Sequence, residues 1–381
     1  MSWNDKLVSV ILLVYNSAEQ LPRALASVFA QDYPRLEIIV TDDGSEEFDA
    51  EEVSAYIEKH KTPNIEQFSV ISSPVNTGTV ANLRRALAVM HGDYYINFGA
   101  DDAIYRNTVV SEYMETFYLR NWEPLMVCGR LGMYKEDLLH YIRSIPSAEE
   151  MRILSMEDPE ATLNALASSC PILNVSACMR KDYAEIVDAY DPAYKLYEDY
   201  PTFLRMARKG YTPVFINRIM MKHAAGGVAN GTKDPVLAET LYRDRQLRWE
   251  KEFAPYRSMF SKESIAANKR RRKIEKKQYQ DTMVQADTEN GAVATWKILY
   301  LFQKLLQILA GKKNKISMYL QTAALLAITF FTFWILDVTE NGQILSVIGV
   351  LFGISSLLLF AGCGAVFVAN LLTGGYRKKK R

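Results

Sequence analysis

The sequence is poor in cysteine and histidine. Its 381 residues include four of each, and the cysteines, Cys128, Cys170, Cys178 and Cys363, are scattered without a CxxC pair. This spacing predicts neither a zinc site nor a disulfide framework, and it is typical of buried thiols in a reducing compartment. We also expect no cleavable signal peptide, because the apolar run at 7–14 is short and continues into a domain pattern.

The net charge is also close to zero, since the sequence has 45 Lys and Arg and 44 Asp and Glu. The charges are unevenly placed, because residues 1–260 are acidic and residues 261–315 are basic. An acidic domain argues against a nucleic-acid partner. The basic segment adjoins apolar runs, which favours anionic membrane lipids as its partner. An early glycine-rich loop bearing Lys or Arg, which a nucleotidyltransferase would need, is missing too.

The first hundred residues alternate apolar runs of strand length with amphipathic helical segments. A parallel strand buried on both faces has such a continuous apolar run. The alternation therefore predicts an α/β fold with a doubly wound, mostly parallel sheet. The predicted strands are residues 7–16, 36–45, 68–71 and 94–98.

Pairs of aspartates follow two of these strands. Asp42 and Asp43 end the second, and Asp101 and Asp102 come directly after the fourth. The carboxyl ends of parallel strands meet at one edge of the sheet, where ligands bind. Adjacent buried carboxylates need a compensating charge, and Mg²⁺ or Mn²⁺ prefers such oxygen ligands. The alternative is a solvated turn whose acids cap the next helix.

The motifs VSVILLVYN, EIIVTDDGS, the NTG loop and YINFGADD stand in an order that resembles glycosyltransferase family 2. Further along, YEDYPTFLRMARKGY at 197–211 resembles the helix start that carries the family's catalytic base. The resemblance covers roughly residues 7–230. It implies an inverting enzyme with a glycosyltransferase-A-type fold, a nucleotide-diphosphate sugar as donor and a divalent cation, Mg²⁺ or Mn²⁺, as cofactor.

The resemblance also implies roles for the residues that match these motifs. Asp199 would be the general base, with Glu198 beside it. Asp101 would be the metal ligand, helped by Asp102 and His223. The predicted nucleotide-sugar-binding residues are Tyr15 on the base, Asp42 and Asp43 on base and ribose, and Asn16, Asn76, Gly78, Arg84, Arg85 and Asp101.

Two departures from the family pattern stand out. Gly99 replaces the first Asp of the Asp-X-Asp motif, and Asn82 to Arg84 replace the usual Ala-Arg-Asn of the loop. Arg84 or Arg85 is therefore the candidate substitute for the family's loop arginine. These departures leave open a non-catalytic relative that acts as a membrane assembly subunit.

Several of these residues also have plain structural interpretations. Tyr15 could be a core aromatic, and Asp42 and Asp43 could only stabilise a turn. Asp199 could be a helix cap, since Glu198 and Asp199 open an amphipathic helix. A lone histidine such as His223 is more often structural.

The apolar pattern of the C-terminal part predicts a membrane anchor. Two apolar runs are long enough to cross a bilayer, and a buried helical hairpin is the alternative. Basic residues precede the first run and follow the second, while the short link between the runs is acidic, which predicts a cytoplasmic catalytic domain and cytoplasmic termini at the cell membrane. The spacing of Gly349 and Gly353 suits helix packing, so a homo-oligomer is an open prediction. The basic run at 268–277 is interpreted as a solvated helix face or as part of the lipid-facing segment.

The predicted domains divide the chain into a catalytic part and an anchor. The predicted boundaries are 1–102 for the nucleotide-sugar half, 103–235 for the acceptor half, 236–294 for a charged helical linker, 295–315 for an amphipathic interfacial segment, 316–336 and 344–372 for transmembrane helices, and 373–381 for a basic tail. The anchor favours a lipid-linked or surface-polysaccharide acceptor. The alternative is transfer to a polyprenyl phosphate, which product analysis would distinguish.

Overall fold

A mixed sheet of nine strands runs through the part of the chain that this computed structural model describes, residues 2–225, 232 and 234–289. The strands are β1 Val8–Val14, β2 Leu36–Asp42, β3 Ile65–Ser72, β4 Tyr94–Gly99, β5 Ala103–Ile104, β6 Met126–Tyr134, β7 Tyr141–Ile145, β8 Ala177–Arg180 and β9 Val214–Ala224. The helices are α1 Leu21–Phe29, α2 Ala50–His60, α3 Thr79–Val89, α4 Val109–Leu119, α5 Ala148–Ser155, α6 Pro159–Leu166, α7 Tyr183–Val187, α8 Tyr200–Arg208, α9 Pro235–Arg248 and α10 Lys262–Glu289.

The sheet is parallel in its first half and mixed in its second. Its order is β3-β2-β1-β4-β8-β6-β9-β5, with β7 paired to β6. The strands β3, β2, β1 and β4 are parallel, as the sequence predicts. β8 then runs antiparallel to both β4 and β6, while β6 and β9 are parallel. The expectation of a mostly parallel sheet therefore holds for β3, β2, β1 and β4, while the second half of the sheet combines parallel and antiparallel pairs.

Helices cover both faces of the sheet, because alternate residues of each strand point to opposite sides. In β1, Val8, Val10 and Leu12 join a core with residues of α1, α2 and α4. Ile11 joins a second core with residues of α3, α6 and α8. The doubly wound arrangement is thus present.

The register of the parallel strands aligns their carboxyl ends. Val14 of β1 pairs with Asp42 of β2, and Leu13 pairs with Gly99 of β4. The two Asp pairs that follow β2 and β4 therefore start from the same edge of the sheet, as expected from their positions in the sequence.

α9, and α10 up to Thr282, belong to the same compact unit as the sheet. α10 contains the basic run at 268–277, but one side of this run is buried, and Glu275 is only 5% exposed. The run is therefore not a wholly solvated helix face. No helix within the described ranges is long and apolar enough to span a bilayer. The predicted segments 295–315, 316–336, 344–372 and 373–381 lie outside the described residues.

Candidate active site

A cleft of about 460 Å³ opens where β1, β2 and β4 end. Its volume is in the range of small-molecule sites. It combines residues from the two halves of the sequence, because the start of α8 and β9 also reach it. The predicted site residues that line it are Tyr15, Asp43, Asn76, Gly78, Asp101, Asp102, Glu198, Asp199 and His223.

Asp101 and Asp102 form one wall of the cleft, and His223 of β9 lies against them. Asp102 is 1% exposed, and its Oδ1 accepts hydrogen bonds from His223 Nδ1 at 2.8 Å and from the Ala224 N–H at 3.1 Å. Burial, together with the charge of Asp102, raises the pKa of Asp101. Burial opposes the charged form of His223, but the hydrogen bond and charge of Asp102 prevail and raise the pKa of His223.

The side chains of Asp101, Asp102 and His223 suit a cation that a substrate also helps to coordinate. Among the described residues, no three His, Cys, Asp or Glu side chains come together as a ligand cluster. Mg²⁺ is commonly held by one or two carboxylates, with substrate phosphates and water completing its shell. The partly buried Asp101 carboxylate meets that requirement, because a cation would offset the repulsion from Asp102.

Gly99 leaves room at the end of β4. A Cβ atom built on Gly99 would lie 2.5 Å from Asp101 Oδ1. The Asp101 carboxylate thus occupies space that any larger residue at position 99 would take. The absence of the first Asp of the motif at position 99 therefore allows the observed position of the Asp101 carboxylate.

Asp42 is fully buried and lies in the turn after β2. Its carboxylate accepts hydrogen bonds from the Gly44 N–H at 3.0 Å, from the Ser45 N–H at 3.1 Å and from the Ser72 hydroxyl at 2.9 Å. These contacts place Asp42 in the turn rather than in the lining of the cleft.

Asp43 holds the loop between β3 and α3. Its carboxylate accepts from the N–H groups of Thr77 at 3.1 Å and Gly78 at 2.6 Å, and from Arg85 Nη2 at 3.3 Å. Gly78 has a φ of +94°, and a Cβ there would lie 2.5 Å from the Lys195 carbonyl oxygen. Glycine is therefore required at this position.

The two arginines of α3 have different partners. Arg84 Nη1 donates to the Tyr190 carbonyl at 3.2 Å. Arg85 donates to Asn82 Oδ1 and to Thr77 Oγ1, both at 2.9 Å. Neither belongs to the described lining of the cleft, and Arg85 instead supports the loop that Asp43 holds.

Tyr15 and Asn16 follow β1. Tyr15 is 49% exposed and lines the cleft, which excludes the interpretation as a core aromatic. Asn16 has a φ of 49°, and its N–H donates to Ser45 Oγ at 2.8 Å. Asn16 therefore shapes the turn beside Tyr15.

Glu198 and Asp199 lie side by side where α8 begins. Asp199 Oδ1 accepts from the Tyr200 N–H at 2.5 Å, so this carboxylate caps the helix and also faces the cleft. Burial raises the pKa of both carboxyls, and the charge of Asp199 raises that of Glu198 further. The Tyr200 N–H and the charges of Arg271 and Arg248 limit the rise of the Asp199 pKa. Asp199 is therefore the member of the pair that ionises more readily.

Sequence reasoning missed the cations behind Asp199. Arg248 of α9 is 2% exposed and forms an ion pair with Glu275 of α10 at 3.0 Å. Glu275 also accepts from Arg271 Nε at 2.8 Å. The i,i+4 spacing of Arg271 and Glu275 is that of a helical ion pair and was the one available signal.

Residues 9–172 match the family model described as glycosyl transferase family 2. The chain is therefore similar to glycosyltransferase family 2 over residues 9–172, which are less than half of its length. An uncharacterized glycosyltransferase of Rickettsia typhi is 26% identical over 203 residues, which are 53% of this chain and 59% of that protein. An Escherichia coli protein named for colanic acid biosynthesis is 29% identical over 99 residues, which are 26% of this chain and 34% of that protein. The chain spans about three fifths or less of the length of these two relatives.

Two solved structures also align with this chain. TarS of S. aureus in complex with UDP-GlcNAc is 17% identical, with a TM-score of 0.49 over 70% of this chain and 72% of that chain. The mannosyltransferase PcManGT from Pyrobaculum calidifontis, in complex with GDP-Man and Mn²⁺, is 18% identical, with a TM-score of 0.48 over 86% of this chain and 87% of that chain.

Proposed function

We propose that this chain is an inverting glycosyltransferase that uses a nucleotide-diphosphate sugar and a divalent cation, Mg²⁺ or Mn²⁺. One observation carries the proposal. The Asp101–Asp102 pair and the Glu198–Asp199 pair line the same cleft, although nearly a hundred positions separate them in the sequence. A glycosyl transfer requires both an anion-balancing centre for the diphosphate and a base for the acceptor.

The donor end of the cleft would hold the nucleotide and the diphosphate. Tyr15 offers a half-exposed ring for packing on the base, and Asp43 fixes the loop of Asn76 and Gly78 that borders it. Asp101 would hold the cation, which supplies charge neutralisation for the departing diphosphate. Asp102 is held in position by His223.

Asp199 would act at the other end of the cleft as general base. It accepts the proton of the acceptor hydroxyl while that oxygen bonds to the anomeric carbon. The bond from this carbon to the diphosphate oxygen breaks on the opposite side, and the nucleoside diphosphate leaves with the electron pair. One displacement of this kind inverts the anomeric centre.

The environments of the two carboxyls support Asp199 rather than Glu198 as the base. Groups whose surroundings separate their pKa values take different roles in acid–base chemistry. The pKa of Glu198 is raised well above its usual range by burial and by Asp199, which favours its protonated form. Asp199 keeps its charge more readily because Arg271 and Arg248 lie nearby.

We further propose that the acceptor is lipid-linked or a surface polysaccharide, and that the chain is anchored in the cell membrane with its catalytic unit in the cytoplasm. The support is the apolar sequence of 316–336 and 344–372 with its flanking basic residues,. An anchor of this kind would hold the cleft next to substrates that are confined to the membrane.

The test is turnover of a panel of UDP-, GDP- and dTDP-sugars by the full chain, measured as release of nucleoside diphosphate with Mn²⁺ or Mg²⁺. Asp199→Asn keeps the side-chain shape and should lower kcat by roughly 10²–10⁴. Asp158→Asn is the matched control, because Asp158 also caps a helix, accepting from the Glu160 N–H at 2.9 Å, outside the cleft. Asn caps a helix as well as Asp does, so kcat of the control should stay at the wild-type level.

Two results would contradict the proposal. One is a wild-type chain that binds and turns over no nucleotide-sugar with either cation. The other is an Asp199→Asn variant with wild-type kcat on a hydroxyl acceptor. Equal activity with and without chelator would remove the cation from the proposal and leave the transferase assignment in place.

A further inference from the structure

Two asparagines at the cleft have side-chain atoms without a hydrogen-bond partner among the described residues. Asn97 of β4 is 1% exposed and Asn174, which precedes β8, is 2% exposed, and both line the cleft. Within the described part of the chain, Asn97 Oδ1 and both Asn174 Oδ1 and Nδ2 have no hydrogen-bond partner. Most buried polar atoms in folded proteins do have one.

These unpaired amide atoms are a cost to the free protein. A buried amide without a partner is less favourable than an apolar side chain of the same shape. The neighbouring lining includes the apolar residues Leu131, Leu173 and Val175, which cannot supply the missing hydrogen bonds. A molecule bound in the cleft can supply these hydrogen bonds.

The alternation of β4 explains how the cleft reaches Asn97. Asn97 and Gly99 are two residues apart, so their side-chain positions lie on the same face of the strand. Gly99 has no side chain, and the Asp101 carboxylate lies in its place, with Oδ1 2.5 Å from where a Cβ of residue 99 would stand. A rotation about the broad χ2 torsion of asparagine can change which amide atom faces the cleft.

We propose that Asn97 and Asn174 bind hydroxyl groups of the glycosyl moiety of the donor, and this inference rests on the proposed function. An amide offers both donors and an acceptor, and a sugar hydroxyl both donates and accepts. Both side chains are uncharged, so they suit the sugar rather than the diphosphate. They share the cleft with Asp101 and Asp199, between which the transferred sugar must lie.

Comparing the binding of a nucleotide-sugar with that of the same nucleoside diphosphate distinguishes sugar recognition from a general effect on the site. Binding of UDP, UDP-glucose, UDP-GlcNAc, GDP and GDP-mannose to the full chain with Mn²⁺ is measured by calorimetry. For the nucleotide-sugar that binds wild type, Asn97→Leu and Asn174→Leu should each weaken its Kd about tenfold, the scale of one hydrogen bond. The Kd of the matching nucleoside diphosphate should stay within about twofold, because it carries no sugar.

Asn64→Ala is the control for simple destabilisation. Asn64 Nδ2 donates to the carbonyls of Gln31 and Tyr33, both at 2.9 Å, just before β3 and thus at the opposite edge of the sheet. This variant should lower the Tm and leave both Kd values unchanged. The two Leu variants should instead keep or raise the Tm of the free protein, because they remove unpaired buried amides.

The outcomes distinguish this inference from the function on which it rests. A wild-type chain that binds a nucleotide-sugar, with Leu variants that bind it equally well, overturns the inference alone. So do Leu variants with a lowered Tm and equal losses for nucleotide and nucleotide-sugar, since a bridging buried water would produce that result. A wild-type chain that binds no nucleotide at all overturns the proposed function and this inference together.

Discussion

Arg271 Nη1 donates a hydrogen bond to the Tyr200 hydroxyl at 2.5 Å, and the Arg271 guanidinium lies 4.4 Å from the centre of the same ring. Arg248 also lies 4.4 Å from that ring centre. Tyr200 is the first residue of α8 and donates its N–H to Asp199. Two cations on α9 and α10 are thus fixed next to the candidate base by one tyrosine.

Replacing Arg271 should shift the pH profile of the enzyme. Burial raises the pKa of Asp199, and the charges of Arg271 and Arg248 act against that rise. Arg271→Met removes one of these charges, so the Asp199 pKa should rise and kcat should be lost at a higher pH on the acid side. Arg271→Lys keeps the charge and should shift the acid limb less.

The measurement is kcat against pH for nucleotide release, with Arg270→Met as the control. Arg270 is the exposed neighbour of Arg271 on α10, so its replacement should leave the profile unchanged. A profile of Arg271→Met that keeps its acid limb while the whole curve drops would show that Arg271 acts through packing rather than through the ionisation of Asp199.

Gly78→Ala should damage the nucleotide end of the cleft. The positive φ of Gly78 is strained for alanine, and the new Cβ would press on the Lys195 backbone. We expect a loss of about 1–3 kcal/mol in the free energy of unfolding and at least about tenfold weaker nucleotide binding, by analogy with the effect of small displacements in binding sites. Denaturation and calorimetry measure the two effects.

Gly210→Ala is the matched control for Gly78→Ala. Gly210 has a φ of +84°, but a Cβ there would meet nothing within 4 Å. This variant has the backbone strain without the collision, so it should lose about 1 kcal/mol of stability and keep nucleotide affinity. Equal losses of affinity in the two variants would contradict a local role of the Gly78 loop.

Glu37 lies at the amino-terminal edge of the sheet, and its carboxylate should make the free energy of unfolding depend on pH. It is 1% exposed, and its carboxylate accepts from the N–H groups of His91 at 2.9 Å and Gly92 at 3.3 Å. Burial would raise its pKa, but hydrogen bonds from Ser9, His91 and Gly92 outweigh burial and lower it. The stabilisation is therefore complete above the unfolded-state pKa of about 4.3 and is lost as the pH falls through the lower folded-state value.

Glu37→Gln should reduce the free energy of unfolding at pH 7 by about 1–3 kcal/mol. The difference from wild type should shrink as the pH falls below about 4. Urea denaturation at pH 7, 4 and 3 measures this, and Glu58→Gln, whose side chain is 62% exposed, should behave like wild type throughout. A constant difference at all three pH values would argue against an ionised Glu37 as the cause.

The first half of the fold was predictable because its pairings follow local patterns. Each apolar run of strand length, separated from the next by a helix, predicts a parallel neighbour. The second half was not, because β6 pairs with β9 through residues as distant as Val127 and Val214. No local pattern of hydrophobicity indicates which distant strand is the partner, or that β8 enters the sheet between β4 and β6.

The site was predictable where the motif residues follow strands. It was less predictable on helices, because the rotation of a helix determines which way each side chain points. Tyr15, Asp43 and Asp199 all reach the cleft. Arg84 and Arg85 are adjacent on α3, so about 100° of helix rotation separates them, and only the folded structure shows that Arg84 turns to Tyr190,. The burial of Glu275 likewise depends on Arg248, a partner on another helix that sequence spacing does not indicate.

The register that aligns Val14 with Asp42 and Leu13 with Gly99 has a consequence for how this chain can vary between organisms. Inserting or deleting one residue in β1, β2 or β4 would move the following site residues by about 3.3 Å and reverse the faces of the strand. Length changes within these strands should therefore be selected against. Descendants of this gene can gain or lose residues in surface loops while these three strands keep their lengths.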